Sequence, residues 1–342
     1  MKKAIIVSLL ISVFTGGAFA QLTFSGEVFA GIRLQSDDDE RSRFDTYHRE
    51  DNFSRAPRFD FTATVLRENY GARLDTSFEM PSDGGELTLN GIYAWVDFYG
   101  FLGNDLLRLT MGQISSTPWV LPRFHPSHSE IKFGDIRGFR VEYTTPIHGL
   151  SIGAAFRTDG QDFESFGKEM IIGATYIHPM FNTVIAYDLS ENAHLLFGFS
   201  FLGIPDLTVG FQLLAERLAS WDDPVYGFPG ILQTRYKVGY RVIRPLNVFL
   251  IFSQRFHGES GVGPYWEITP GLEYRFLPNL TGTLSVSLDN YGGSPDNNLT
   301  IRTGIEHTLR GPAFLYAEYE LRLDKMDTAT HTFGFGITIR AF

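Results

Sequence analysis

The chain has 342 residues, a formal net charge of -10 at pH 7 and no cysteine. The missing cysteines exclude a disulfide framework and a lipid-anchoring thiol, and the acidic balance argues against a nucleic-acid partner. Aromatic residues make up 15% of the chain, 35 glycines accompany them, and runs of good helix formers are scarce, so the composition favours an all-β protein.

Residues 1–20 have the pattern of a secretory signal peptide. Lys2 and Lys3 precede the apolar run AIIVSLLISVF, and the small residues Ala18 and Ala20 suit cleavage before Gln21. The apolar run is too short to span a bilayer, and no later stretch holds the roughly 18 unbroken apolar residues of a transmembrane helix. We therefore predict an exported mature chain that has no membrane-spanning helix.

Beyond the signal, apolar and polar residues alternate in segments of roughly ten residues, the length that a tilted strand needs to cross a membrane. Eighteen such segments are predicted, near 22–35, 57–67, 70–80, 87–98, 105–114, 136–145, 149–158, 168–177, 181–189, 194–203, 206–217, 231–243, 246–256, 264–276, 280–289, 298–308, 313–324 and 330–342. An even strand count is typical of a closed outer-membrane barrel.

The connections between these segments differ in length in a regular way. Those after even-numbered segments are short, as in ENYG, GIPD and LPN, whereas several after odd-numbered segments are long and polar. The longest are residues 36–57 and 115–135. Short turns at one rim and long loops at the other indicate a barrel whose chain enters from the periplasm.

The two faces of the predicted strands indicate whether the sheet lies in water or in a membrane. In LQTRYKVGYRV, residues 232–242, one face is apolar and the other is basic. A soluble sandwich would bury the apolar face, whereas a membrane barrel turns it to lipid. The export signal, the unequal rims and the aromatic residues near predicted strand ends favour lipid, and these aromatic residues are Tyr93, Trp95, Phe98, Tyr99, Trp266 and Tyr274. We predict a closed antiparallel transmembrane β-barrel that forms one domain over residues 21–342.

Three stretches resemble the general porins of Gram-negative outer membranes. QLTFSGEVFAGIRL, from Gln21, is similar to a porin first strand, and NGIYAWVDFYGFLGNDLLRLTMGQISSTP, from Asn90, is similar to the fourth and fifth strands. IRGFRVEYTTPIHGLSIGAAFR, from Ile136, resembles the sixth and seventh strands. The terminal Phe342 matches the aromatic end by which such barrels are recognised for assembly, although it is out of phase with the apolar face of the last segment. General porins have sixteen strands, and that number stays open because the weak segments 181–189 and 194–203 are the least distinct.

The resemblance implies a passive diffusion channel for small hydrophilic solutes and ions in the outer membrane of a diderm bacterium. It implies neither enzymatic activity nor a cofactor. The expected partners are outer-membrane lipids, the permeating solutes and the barrel-assembly machinery acting on Phe342, and a homotrimer is left open. Two other functions also stay open. One is a substrate-specific transporter for sugars or fatty acids, and the other is a non-conducting surface or adhesive barrel.

In the porin family the loop after the fifth strand folds into the lumen and narrows it. The equivalent connection here is 115–135, SSTPWVLPRFHPSHSEIKFGD, which its prolines stiffen. The residues expected at the constriction are Trp119, Arg123, Glu130 and Asp135. An ordinary extracellular loop is the alternative interpretation.

Strand phase puts four arginines on the lumen faces of the second, third, fifth and sixth segments, namely Arg58, Arg73, Arg108 and Arg140. Acidic residues share those faces, namely Asp60, Asp75, Glu79 and Glu142. Cations and anions that face each other across a narrow water-filled gap would order dipolar solutes. The alternative is that these charges pair with each other and keep the lumen hydrated.

A second basic row is predicted on the twelfth and thirteenth segments, with Arg235, Lys237, Arg241 and Arg255 on the lumen face. Pairing with Glu216, Glu267 and Glu273 on adjacent strands is favoured over a track for anionic solutes. Separately, His125, His128 and Glu130 have a spacing that holds zinc on a helix, but a proline-containing loop does not fix that geometry, so no metal site is predicted.

Overall fold

The structure is a computed structural model, and it describes the residues 21–37, 42–46, 57–80, 85–100, 103–114, 119, 136–158, 170–190, 193–218, 230–257, 264–290, 297–309, 313–325 and 328–341. The predicted signal peptide and Phe342 lie outside these residues. No helix within the described part of the chain is long and apolar enough to cross a membrane.

The described residues form nineteen β-strands in one sheet. They are β1 Gln21–Asp37, β2 Ser42–Thr46, β3 Arg58–Leu66, β4 Tyr70–Glu79, β5 Glu86–Tyr99, β6 Leu106–Ile114, β7 Ile136–Thr144, β8 Leu150–Arg157, β9 Met170–His178, β10 Phe181–Asp188, β11 His194–Phe201, β12 Leu207–Glu216, β13 Ile231–Ile243, β14 Leu246–His257, β15 Tyr265–Leu277, β16 Leu280–Asp289, β17 Asn298–Thr308, β18 Ala313–Asp324 and β19 Thr328–Ala341.

The sheet closes because β1 pairs with β19 in antiparallel register, from Gly26 opposite Ala341 to Asp37 opposite Thr330. Closure pairs the first and last strands of the wall with each other, as a sheet that spans a membrane requires. From β3 onward each strand pairs with the next one along the chain.

The second wall position is shared by two strands. The first part of β1 pairs with β3 and its later part pairs with β2, so β2 and β3 lie on the same side of β1. The barrel therefore has eighteen wall strands, which confirms the predicted number. The two weak segments are separate strands, β10 and β11, and the sixteen-strand alternative is wrong. β2 falls inside the predicted loop 36–57, because SRFDT is too short and too polar to show a period of two.

The apolar faces of the strands point outward. In β13, Tyr236, Val238, Tyr240 and Val242 are exposed, while Arg235, the residue just before Tyr236, is buried. Large exposed apolar residues recur in the same phase around the wall, for example Phe333 and Phe335 in β19. A soluble sandwich would cover these side chains in its core, so this arrangement contradicts the sandwich and suits a wall that faces lipid.

Two aromatic residues assigned to strand ends lie elsewhere. Tyr93 and Trp95 are inside the 14-residue strand β5, opposite Arg73 and Gly71 of β4, and share the inner face with Asp97. The prediction that they mark the lipid interface is wrong, because both side chains are in the inner phase of β5. Phe98, in the opposite phase, is exposed on the outside.

Candidate pore lining and constriction

Three of the four predicted lumen arginines form ion pairs along their own strands. Arg58 Nη2 lies 2.7 Å from an oxygen of Asp60, and Arg73 Nε lies 2.9 Å from one of Asp75. Arg140 Nη2 lies 2.7 Å from Glu142. Each pair joins residues two positions apart, and such residues share one face of a strand. These charges are therefore held on the inner wall in matched pairs.

Arg108 is held across two strands instead. Its Nε and Nη2 donate to the two carboxylate oxygens of Asp97, at 2.7 and 2.8 Å, because the register sets β5 and β6 with these residues opposite each other. The guanidinium also lies over the ring of Trp95, 5.6 Å from its centroid. A bidentate pair of this kind is geometrically specific and strong. Asp97 is only 5% exposed, so its charge depends on Arg108 for compensation.

Asp97 was missed in the sequence because the predicted neighbour of Arg108 was Glu142. Glu142 does stand opposite Arg108 in the register of β6 and β7, but it pairs with Arg140. The signal was present in the alternation of Tyr93, Trp95 and Asp97, which places all three on one face. Their face is assigned only when the position of β5 against β4 and β6 is known.

Trp119 is the one described residue of the connection 115–135, and it lies against the inner wall. It is 2% exposed and packs on an apolar patch that spans five neighbouring strands. The patch consists of Ile136, Ala155, Ile171, Val184, Ala186 and Leu196. All of them alternate with outward-facing residues, so Trp119 is inside the barrel.

Two glycines make room for this indole. A Cβ built on Gly173 would lie 2.5 Å from Cε2 of Trp119, and one built on Gly153 would lie 3.3 Å from Cζ2. These two glycines are directly opposite each other in β8 and β9. Because neither has a side chain, the ring can lie flat against the backbone of the wall. A larger residue at Gly173 would displace it.

The apolar inner patch is a feature that sequence reasoning missed. Strands such as β9, with MIIGA, and β11, with HLLF, carry apolar residues on both faces, so alternation cannot show that one set is buried inside the barrel. The other predicted constriction residues, Arg123, Glu130 and Asp135, and the histidines His125 and His128, lie outside the described residues. Among the residues that are described, no group of three acidic or histidine side chains could hold a metal ion.

The second basic row lies on the inner faces of β13 and β14. Arg235 is buried, and its Nε donates to Ser253 Oγ at 3.3 Å. Arg241 pairs with Asp206, at 3.2 Å, in the turn before β12. Asp206 was not among the predicted partners, because its turn comes close to Arg241 only through the register of β12 and β13. Lys237 and Arg255 share the inner face with these two arginines.

The chain thus folds into a closed antiparallel barrel that has an apolar exterior and an interior lined by ion pairs. No protein-family model matches the chain, and no curated protein matches it. Solved structures do share the fold. OpdQ of Pseudomonas aeruginosa is 12% identical with a TM-score of 0.61, and the match covers 94% of this chain and 98% of that one. OccK11 (OpdR) of the same organism is 12% identical with a TM-score of 0.59, covering 94% and 96%.

A third match is the outer membrane channel DcaP of Acinetobacter baumannii, which is 13% identical with a TM-score of 0.54 and is covered over 99% of its chain. At these identities the comparison establishes the fold. The chain has the barrel fold of Gram-negative outer-membrane channels over nearly its whole length.

Proposed function

We propose that this protein is an outer-membrane porin, a water-filled channel through which small hydrophilic solutes and ions diffuse passively. The observation that carries the proposal is the row of ion pairs on the inner wall of β3–β7. Charged groups buried in a dry interior are costly, whereas the guanidiniums of Arg73 and Arg108 remain 43% and 39% exposed inside the barrel. A hydrated lumen with an apolar outer wall suits a channel in a membrane.

The proposal is tested by incorporating the purified barrel into a planar lipid bilayer. A porin gives stepwise, ohmic conductance that does not saturate with solute concentration. Saturation by one solute would instead favour a substrate-specific transporter. A barrel that is folded by its heat-modifiable electrophoretic mobility, yet gives no steps, would contradict the proposal and leave a non-conducting surface protein.

We further propose that the connection 115–135 narrows the lumen. The support is the position of Trp119, which ties this connection to the inner wall between β7 and β11. An ordinary external loop would leave a tryptophan at its start in contact with solvent or headgroups rather than buried inside. In the proposed orientation of the barrel, the short turns face the periplasm. Outer-membrane lipids surround the apolar wall.

The ion preference of the channel should depend on the pair formed by Arg108 and Asp97. Arg108→Ser leaves the Asp97 carboxylate without its bidentate partner, so we expect the reversal potential in a KCl gradient to shift toward cation preference. The measurement is made at low salt, because the Debye length then exceeds about 10 Å and the salt screens the fixed charges less.

The matched control is the double variant Arg108→Ser with Asp97→Asn. It removes both charges, so the reversal potential should return close to the wild-type value. If the single and double variants shift the potential equally, the local charge balance at this pair does not set ion preference. If neither shifts it, the pair lies away from the path of the ions.

A further inference from the structure

A small polar cavity lies at the short-turn rim, away from the ion pairs of β3–β7. Its volume is about 240 Å³. The lining residues are Arg241, Arg244, Pro245, Asn247, Glu273 and Arg275. Three of these six side chains are arginines and one is acidic.

The backbone is irregular at two of these arginines. The register of β13 and β14 shifts between Arg241 and Ile243, and the register of β15 and β16 shifts between Arg275 and Leu277. A bulge redirects the side chains next to it and is a common device beside binding sites. The amide of Arg275 also donates to Pro245 O at 2.7 Å, which ties the end of β15 to the turn that carries Arg244. Adjacent hairpins thus bring the three arginines to the lining of one cavity.

The positive charge of the cavity is only partly neutralised. Arg241 is held by Asp206 at 3.2 Å, and its Nε donates to Asn247 Oδ1 at 3.3 Å. The guanidiniums of Arg244 and Arg275 have no ion-pair partner among the described residues, and Glu273 is the single acidic residue of the lining. Two guanidiniums therefore remain available to a ligand.

We propose that this cavity binds a small soluble oxyanion, with a carboxylate or phosphate group, at the mouth of the barrel. Guanidinium forks match the geometry of carboxylate and phosphate oxygens, and two forks from different hairpins can hold one anion from two sides. Arg241, Asn247, Glu273 and Arg275 are in the inner phase of their strands, so the anion reaches the cavity from the lumen mouth. The site goes beyond the proposed diffusion channel and does not depend on conduction.

The test uses inorganic phosphate and the purified barrel in detergent, followed by calorimetric titration. We expect saturable binding to the wild-type protein and about a tenfold weaker affinity in both Arg244→Gln and Arg275→Gln, the loss expected for a charge-assisted hydrogen bond. The control is Arg67→Gln, which removes the same charge from the same rim. Arg67 lies over Tyr70, 5.7 Å from its ring centroid, and does not line the cavity. The affinity of the Arg67→Gln variant for phosphate should match that of the wild type.

Three results would overturn the proposal. They are no saturable phosphate binding by the wild type, unchanged binding in both cavity variants, and an equal loss in Arg67→Gln, which would indicate general rim charge. A repeat in nanodiscs containing phosphatidylglycerol separates a soluble ligand from a lipid headgroup. Unchanged phosphate affinity supports a soluble ligand, whereas loss of binding through competition by the lipid would contradict that assignment. Failure of the bilayer conductance test would leave this titration unaffected.

Discussion

Replacing Leu284 with arginine is expected to lower the free energy of unfolding of the barrel by about 2–4 kcal/mol, the cost of a cation on the lipid side of a barrel near the midplane. Leu284 is at the middle of β16, is 40% exposed and is in the outward phase. Its neighbours on the outer face are Leu272 and Thr303 in the flanking strands. A guanidinium there has no water within reach unless the side chain bends to the interface. The measurement is urea unfolding in lipid vesicles, followed by tryptophan fluorescence.

The matched control is Thr283→Arg, one residue earlier. Thr283 is on the inner face and only partly buried, so the new charge would lie in the hydrated lumen and stability should change little. Inner phase alone does not make a position tolerant, since Gln212 is also in the inner phase but only 1% exposed. Equal destabilisation by the two Leu284 and Thr283 variants would show that the faces are assigned incorrectly.

Replacing Trp119 with alanine is expected to increase single-channel conductance. The indole is buried against Gly153, Gly173 and the apolar patch. Removing a buried tryptophan side chain lowers the free energy of unfolding by roughly 3–5 kcal/mol. If this contact holds the connection 115–135 across the lumen, its loss releases the narrowest section, which dominates the resistance. The measurement is the amplitude of single-channel steps in a planar bilayer at fixed salt.

Two further variants separate a loss of the contact from a general defect. Gly173→Val places a side chain where the indole lies, so it should raise single-channel conductance as Trp119→Ala does. Trp266→Ala removes a tryptophan from the outer phase of β15 and should leave conductance unchanged. Unaltered conductance in both Trp119→Ala and Gly173→Val would place the connection outside the path of the ions.

Much of the wall was predictable because it depends on local pattern. Alternation in segments such as LQTRYKVGYRV defines the two faces of each strand, and the connection lengths define the order in which strands and turns follow. The eighteen wall strands and the outward apolar face follow from these patterns, since neither requires knowledge of which strands are neighbours. β2 was missed because five polar residues contain no readable period, and its place beside β1 is a long-range pairing.

The contacts between side chains inside the barrel depend on pairings between distant strands. Asp97 binds Arg108, and Asp206 binds Arg241, only because the register aligns residues that are 11 and 35 positions apart in the chain. The burial of Trp119 on Gly153 and Gly173 joins a connection to strands that follow it, and the bulges at Arg241 and Arg275 depend on the adjacent hairpins. The alternation of faces and the number of wall strands follow from local amino-acid patterns. Register, bulges and the packing of a connection inside the barrel determined which inner side chains meet, because those contacts are set by pairings between distant segments.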